Sequence, residues 1–130
     1  MDMLKDKKIL VVEDDNNANF ILSATLRRKW IDAKNITIAS NWKEALTQIQ
    51  KQLFDIIIMD IKMPIMDGRE ATKHIRNHYN GDCPKIVAFS AINKNIEKGD
   101  DNLFDEYILK PFSQYDIEEK IIKVLLAQNN

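Results

Sequence analysis

Residues 54–60 read Phe-Asp-Ile-Ile-Ile-Met-Asp, a short apolar run that ends in a carboxylate. From residue 56 onward the hydrophobic side chains follow one another without the alternation of a strand that faces water on one side. Continuous hydrophobicity over so few residues is typical of a strand covered on both faces, as in a parallel sheet. Pro64 and Gly68 then break the chain before a short helical pattern. The run therefore predicts a buried strand with Asp60 at its carboxyl end.

Similar apolar runs and amphipathic patterns fill the rest of the chain. The predicted strands are residues 8–12, 36–39, 54–59, 85–89 and 107–109. The predicted helices carry apolar stripes at residues 18–26 (Ala18, Ile21, Leu22, Thr25 and Leu26), 42–49, 71–75 and 117–125. The candidate N-caps are Asp15 or Asn16, Ser40 or Asn41, and Ser113. Alternating strands and helices imply right-handed βαβ units and a parallel sheet with helices on both faces. We expect a flavodoxin-like, doubly wound α/β fold with five strands in the order 2-1-3-4-5, an order taken from known folds of this class.

The composition is that of an ordinary globular domain. We treat residues 1–130 as one domain, since a chain of this length can bury a single layered core. Nineteen basic and twenty acidic side chains nearly cancel, which does not favour nucleic acid or an anionic membrane as a partner. No apolar run approaches the roughly 20 residues of a membrane span. Cys83 is the only cysteine, which suits a reducing compartment, and we expect a cytoplasmic domain.

Chemically active side chains follow the predicted strands at the point where each strand ends. Glu13 and Asp14 follow the first strand, Asp60 ends the third, Ser90 follows the fourth and Lys110 follows the fifth. The carboxyl ends of parallel strands share one edge of the sheet, and ligands of such folds bind at that edge. We therefore expect these five side chains to meet in one site.

The expected site combines three carboxylates with one cation and one hydroxyl. Three carboxylates repel one another unless a cation lies among them, and oxygen ligands at an open edge suit Mg²⁺. Lys110 would add a positive charge and Ser90 a hydroxyl donor. A metal ion, a lysine and a hydroxyl around an aspartate are typical of a phosphoryl-transfer site, and aspartate carboxylates can act as nucleophiles. Asp60 is the candidate phosphoacceptor, because the third strand is central in the expected order.

Four segments then reveal a family resemblance. The sequences ILVVEDD at residues 9–15, IIIMDIKMPIMDG at 56–68, IVAFSA at 86–91 and YILKPF at 107–112 resemble the motifs of response-regulator receiver domains, in the same order. The resemblance extends over about residues 8–126. It implies a phosphorelay switch, and not an enzyme that turns over an external substrate: a histidine kinase or a histidine phosphotransfer protein would phosphorylate Asp60.

The resemblance also assigns roles to individual residues. Asp14 and Asp60 would ligate Mg²⁺, with Glu13 acting through water and the backbone carbonyl of Lys62 as a further ligand. Ser90 and Lys110 would contact the phosphoryl oxygens. Tyr107 would be the aromatic switch residue, whose rotamer follows the movement of Ser90.

The expected partners follow from the same resemblance. Output would pass to a downstream protein or to a covalently attached kinase or effector domain, with no nucleic-acid contact by this domain. The segment IMDGREAT at residues 65–72 is more similar to receivers attached to hybrid histidine kinases. Residues 92–106 look short and polar where the family has its fourth helix. That helix belongs to the usual output face of the family, so the sequence does not predict which surface would contact the output partner.

Three alternative functions fit these residues less well. An aspartate-nucleophile phosphatase of the haloacid-dehalogenase type needs a second aspartate two residues after the first, where this chain has Lys62. A pseudo-receiver that binds partners without phosphorylation would be indicated by the loss of Asp60, Asp14 or Lys110, and all three are present. A dinucleotide site would need a glycine-rich turn after the first strand, which this chain lacks.

Overall fold

A computed structural model describes residues 4–29, 31–61, 68–79, 82–90, 103–109 and 112–128, with Ser90 described by its backbone alone. The strands in these ranges are β1 (Ile9–Val12), β2 (Ile36–Ala39), β3 (Ile56–Asp60), β4 (Lys85–Ser90) and β5 (Glu106–Leu109). The helices are α1 (Asn16–Arg28), α2 (Trp42–Lys51), α3 (Gly68–His78), α4 (Gln114–Ile117) and α5 (Lys123–Ala127), with a 3₁₀ turn at Ala33–Asn35 and a π-helical segment at Glu118–Ile122 between α4 and α5. None of these helices is long and apolar enough to cross a membrane.

The five strands form one parallel sheet in the order β2-β1-β3-β4-β5. This confirms the predicted doubly wound α/β fold and its strand order. β3 lies in the middle and pairs with β1 on one side and β4 on the other. The predicted strand bounds differ from the observed ones by two residues at most, and the largest difference is the later start of β3.

The side chains of β3 alternate between two hydrophobic clusters. Ile56 and Ile58 point into a cluster formed with α1 and the C-terminal helical run, whereas Ile57 and Met59 point into a cluster formed with α2 and α3. All four side chains are fully buried. Both faces of the strand are covered, which explains the continuous hydrophobicity of residues 56–59.

Side-chain caps fix where three helices begin. Asp15 caps α1, with Oδ1 accepting from the N–H of Asn17 at 2.9 Å. Asn41 caps α2 and accepts from the N–H of Glu44 at 2.9 Å. Ser113 caps α4 in a capping box. Such caps pair backbone N–H groups that have no partner within the helix, at a gain of typically about 1 kcal/mol each. Asp15 and Asn41 are therefore the caps among the predicted alternatives.

The buried face of α1 differs from the predicted stripe at one position. Ile21 was predicted to face the core, but it is 46% exposed, and Asn19 is buried in its place. Neighbouring residues are about 100° apart around a helix. A face that buries both Leu22 and Leu26 therefore leaves Ile21 at its border and includes Asn19.

The chain enters β5 through a polar anchor on α3. The guanidinium of Arg76 donates to the carbonyl oxygen of Leu103 at 2.7 Å and to the carboxylate of Asp105 at 3.1 Å. The same carboxylate accepts the N–H of Ile86 in β4 at 2.8 Å. The anchor fixes the residues just before β5. The predicted weak fourth helix falls mainly on residues 91–102, which lie outside the described residues.

The two ends of the described chain meet at the amino-terminal edge of the sheet. The ammonium group of Lys7, two residues before β1, donates to the side-chain oxygen of Gln128 at 3.2 Å. The amide nitrogen of Gln128 donates to the carbonyl oxygen of Asp55, which precedes β3, at 3.1 Å. This edge is the one opposite to the carboxyl ends of the strands.

Candidate functional site

The register of β1 and β3 brings two acidic residues side by side. Val12 pairs with Met59, and one position further along the two parallel strands come Glu13 and Asp60. Glu13 is 1% exposed and Asp60 is 5% exposed. Two carboxylates therefore lie almost buried at the carboxyl edge of the sheet, on its two most central strands.

Asp14 completes an acidic cluster at this edge. Glu13, Asp14 and Asp60 each offer a carboxylate oxygen, and these oxygens lie within 4.8 Å of one another. The side chain of Asp14 is exposed, so the cluster opens to solvent on one side. Carboxylates this close repel one another, and a bound cation offsets that repulsion. The donor set consists of oxygen alone with an open side for water, which fits a hard ion such as Mg²⁺.

The loop that carries Glu13 is held from three directions. The N–H of Glu13 donates to the carbonyl oxygen of Ala39 in β2 at 3.0 Å. The carboxylate of Glu13 accepts the N–H of Asp15 at 3.1 Å. The side-chain amide of Asn19 donates to the carbonyl oxygen of Glu13 at 2.9 Å. The position of Glu13 is thus set by the neighbouring strand and by the first turns of α1.

Asn19 is a site residue that the sequence analysis missed. It is 7% exposed, and its amide oxygen Oδ1 has no hydrogen-bond partner in the part of the chain that the structure describes. A buried acceptor left unpaired costs roughly 1–3 kcal/mol. The signal that could have found Asn19 is its helical spacing from Leu22 and Leu26, which places a polar residue on the buried stripe.

Gly68 is a second residue whose role the sequence analysis understated. It was predicted only as a chain break, but its N–H donates to the carbonyl oxygen of Ile61. A Cβ atom at this position would collide with the carbonyl oxygen of Asp60 and lie 2.7 Å from the Cα of Ile61. The absence of a side chain therefore lets the start of α3 rest directly on the end of β3.

The remaining predicted site residues are described only in part. Ser90 ends β4 immediately after Phe89, the partner of Asp60, so its backbone lies at the same edge. Ser90 itself pairs with Leu109, the residue before Lys110. Lys110, Lys62 and the side chain of Ser90 lie outside the described residues. Their contacts with Asp60 stay predictions.

Tyr107 lies in β5, one strand away from Ser90. It pairs with Ala88, two residues before Ser90, and its half-buried ring meets the ring of Phe104 edge-on at a centroid distance of 5.6 Å. The ring packs against the cluster formed with α2 and α3. A half-buried ring of this kind fits both a core aromatic and a switch residue that changes rotamer, so the switch role stays a prediction.

Comparisons with known proteins agree on one family. The family model for the response regulator receiver domain matches residues 9–122. The sensor histidine kinase GacS of Pseudomonas protegens is 36% identical over 115 residues, which cover 85% of this chain and 12% of GacS. The chain spans between 10% and 49% of the length of the curated relatives considered.

Two solved complexes contain similar folds. One is the complex of the histidine phosphotransfer protein Ypd1 of Saccharomyces cerevisiae with the receiver domain of Ssk1. The matched chain of this complex is 26% identical to the present chain, and the match covers 96% of this chain and 92% of that chain with a TM-score of 0.82. The other is the complex of the histidine kinase ThkA with the response regulator protein TrrA. Its matched chain is 31% identical to the present chain, and the match covers 92% of this chain and 98% of that chain with a TM-score of 0.78. With the match to the family model and the acidic site at the carboxyl edge of the sheet, the chain belongs to the response regulator receiver domain family.

Proposed function

We propose that the chain is a phosphorelay switch that accepts a phosphoryl group from a phosphohistidine onto the carboxylate of Asp60. The observation that carries the proposal is the geometry of Asp60, which is 5% exposed and has carboxylate oxygens of Glu13 and Asp14 within 4.8 Å. A nearly buried aspartate in an acidic cluster that opens to solvent is accessible to a donor, yet held in a fixed position. Asp60 also ends the central strand, so a charge change there acts on the middle of the sheet.

The transfer exchanges one bond to phosphorus for another. A carboxylate oxygen of Asp60 attacks the phosphorus, and the bond between phosphorus and the donor's imidazole nitrogen breaks. The leaving nitrogen keeps the electron pair of that bond. The other ring nitrogen of the phosphohistidine carries a proton when the bond breaks, so the products are an acyl phosphate on Asp60 and a neutral histidine on the donor. The pairing of Asp60 with Phe89 in β4 and the close contact at Gly68 keep the backbone of the attacking residue in position, which reduces the ordering cost of the reaction.

Glu13, Asp14 and Asp60 would hold Mg²⁺, together with the backbone carbonyl of Lys62. When bound, the ion supplies charge neutralisation for the phosphoryl oxygens. Lys110 and the hydroxyl of Ser90 would contact the same oxygens from the adjoining strands, and Tyr107 would change its rotamer as Ser90 moves. These residues turn phosphorylation into a change of the partner surface.

The donor protein has to dock where its histidine can reach Asp60. Helix α1 begins beside the acidic cluster and exposes two apolar side chains there, Phe20 at 72% and Ile21 at 46%. Exposed apolar side chains next to a reaction site mark a surface for another protein. We assign this part of α1 to the donor, a histidine kinase or a histidine phosphotransfer protein. The similar chains in complexes with such proteins support this class of donor.

Output would pass to a separate protein or to an attached kinase or effector domain, since the matched curated relatives are much longer than this chain. The domain would act as a signalling switch in the cytoplasm, a compartment that suits the free thiol of Cys83.

Phosphorylation by a small-molecule donor tests the acceptor. With acetyl phosphate and Mg²⁺, intact-mass spectrometry should detect one added phosphoryl group, which Asp60→Ala should abolish. Asp82→Ala is the matched control, since Asp82 is exposed and lies away from the cluster. Equal labelling of Asp60→Ala and the wild type would place the acceptor elsewhere.

Docking is tested with a purified, autophosphorylated histidine kinase that labels the wild-type chain. Phe20→Ala should slow transfer from the kinase but leave labelling by acetyl phosphate unchanged. The matched control is Leu53→Ala, because Leu53 is 78% exposed and precedes β3, at the opposite edge of the sheet. If both variants slow transfer from the kinase, α1 is not the docking surface for the donor.

A further inference from the structure

The fold buries two polar side chains of α1, Asn19 and Thr25. Helix side chains lean toward the amino terminus of their helix. From the first turns of α1, Asn19 therefore reaches back over the helix start, and its Nδ2 donates to the carbonyl oxygen of Glu13 at 2.9 Å. This carbonyl belongs to the peptide unit that joins Glu13 to Asp14. Asn19 thus holds the plane of the peptide between two of the three carboxylates.

The other hydrogen bonds described for this loop involve other groups than the carbonyl oxygen of Glu13. The N–H of Glu13 is paired with Ala39 of β2, and the carboxylate of Glu13 accepts the N–H of Asp15. Both bonds fix Glu13 itself. The orientation of the next peptide unit, from which the exposed side chain of Asp14 extends, is fixed at its carbonyl oxygen by the Asn19 amide.

Asparagine is an unfavourable choice for this position if packing is its only role. It has a low helix propensity, and its Oδ1 is buried with no hydrogen-bond partner among the described residues. Leucine has a similar size and would bring no unpaired polar atom of its own to the buried face. Local penalties of this kind are typical of functional sites, where geometry is favoured over stability.

We propose that Asn19 is a positioning residue for the metal site, which sets the orientation of the Glu13–Asp14 peptide and so aligns the carboxylate of Asp14 with those of Glu13 and Asp60. This inference rests on the proposed function, since it concerns the Mg²⁺ site of the phosphorylation reaction. Without the Asn19 bond the peptide can rotate, and the three carboxylates have to be ordered when the ion binds. The ordering cost then appears as weaker binding.

The test compares Mg²⁺ affinity with stability in the full chain. Titration with MgCl₂, followed by backbone amide chemical shifts, gives the dissociation constant, and urea unfolding in EDTA gives the stability without metal. Asn19→Leu should raise the dissociation constant roughly three- to tenfold, the effect of losing about one hydrogen bond. Its stability in EDTA should stay close to that of the wild type, because the lost bond to the Glu13 carbonyl opposes the gain from removing the unpaired Oδ1. Saturating Mg²⁺ should largely restore the rate of labelling by acetyl phosphate.

Two further variants complete the test. Asn17→Leu is the matched control, because Asn17 lies in the same turn with an exposed side chain, and its affinity should stay within twofold of the wild type. Asn19→Ala cannot clash with its surroundings and should show the same loss of affinity if Asn19→Leu fails to fold. Unchanged Mg²⁺ affinity in a folded Asn19 variant, with or without lower stability, overturns the positioning role. Failure of the wild type to bind Mg²⁺ or accept phosphate would instead overturn the proposed function.

Discussion

The backbone N–H of Gly68 donates to the carbonyl oxygen of Ile61 at a distance of 2.5 Å. This bond holds the first residue of α3 against the end of β3. Asp60 precedes Ile61, so the contact lies one residue from the proposed phosphoacceptor. A Cβ atom at Gly68 would lie 2.7 Å from the Cα of Ile61 and would also meet the Asp60 carbonyl oxygen. These neighbours are backbone atoms, which cannot move aside as the end of a flexible side chain can.

Gly68→Ala should therefore cost stability and reaction rate together. Forcing extra volume into a tight contact costs typically about 1–3 kcal/mol. The backbone shift also displaces Asp60, so we expect slower labelling by acetyl phosphate. Urea unfolding and intact-mass kinetics measure the two effects. A Gly68→Ala variant with the stability and rate of the wild type would mean that α3 can lift away from β3 without cost.

Two buried threonines should respond to the same substitution with opposite sign. The hydroxyl of Thr72 in α3 is fully buried and has no partner in the described part of the chain, whereas that of Thr25 in α1 donates to the carbonyl oxygen of Ile21 at 2.9 Å. Removing an unpaired buried hydroxyl gains stability, and removing a paired one loses it. We expect Thr72→Val to stabilise and Thr25→Val to destabilise by about 1 kcal/mol each.

Urea unfolding of the two valine variants measures this difference directly. Threonine and valine have similar helix propensities, so the helix term cancels between the wild type and each variant. Destabilisation of Thr72→Val to the same extent as Thr25→Val would mean that the Thr72 hydroxyl is paired in solution.

The thiol of Cys83 should react slowly at neutral pH. Burial raises the pKa of Cys83, the nearby Arg76 guanidinium lowers it, and the carboxylate of Asp105 raises it, with burial the largest effect. A raised pKa keeps the thiol protonated to higher pH, and the thiolate is the reactive form. The rate of alkylation by iodoacetamide should reach half its maximum above pH of about 8.5, the value for a free cysteine.

Replacing the neighbouring cation tests the cause of this shift. Arg76→Met removes the influence that lowers the pKa, so the alkylation midpoint should move to still higher pH. Lys85→Met removes a weaker influence of the same sign and should move it less. A wild-type midpoint below the free-cysteine value would contradict the effect of burial.

Removal of the divalent ion should nearly stop phosphorylation. The phosphoryl group brings negative charge to a site that already holds three carboxylates. Without a cation, repulsion raises the barrier, and each 1.4 kcal/mol slows the reaction about tenfold. Labelling by acetyl phosphate in excess EDTA should therefore be slower by orders of magnitude, and Asp14→Ala should also be slow. An unchanged rate in EDTA would exclude a metal role.

The central strand was predictable because residues 56–59 contribute to two hydrophobic clusters at once. A strand that is buried on both faces must be apolar throughout, and this requirement is visible in the sequence. The order 2-1-3-4-5 came from known folds, and the observed pairing confirms it. Ile21 was misplaced because hydrophobicity alone does not reveal the direction from which a helix meets the sheet.

The acidic part of the site was predictable because its residues follow directly on strand ends. Strand register brings Glu13 and Asp60 side by side, with Asp14 next in the chain, and the register follows from the fold. Asn19 and Gly68 escaped prediction because their roles depend on tertiary distances, one a side-chain bond and the other a backbone contact. Neither distance is determined by a local pattern of residues.

The hydrogen bond between Lys7 and Gln128 has a consequence for how the domain can be joined to other polypeptides. Both residues lie at the edge of the sheet opposite to Asp60, so a segment attached at either end leaves the domain on the side away from the reaction. Adjacent ends of this kind tolerate circular permutation and insertion into another chain. A short loop that joins residue 4 to residue 128, with new ends opened elsewhere on the surface, would keep the buried Leu4 and preserve the three carboxylates, the acceptor among them, in a chain of altered order.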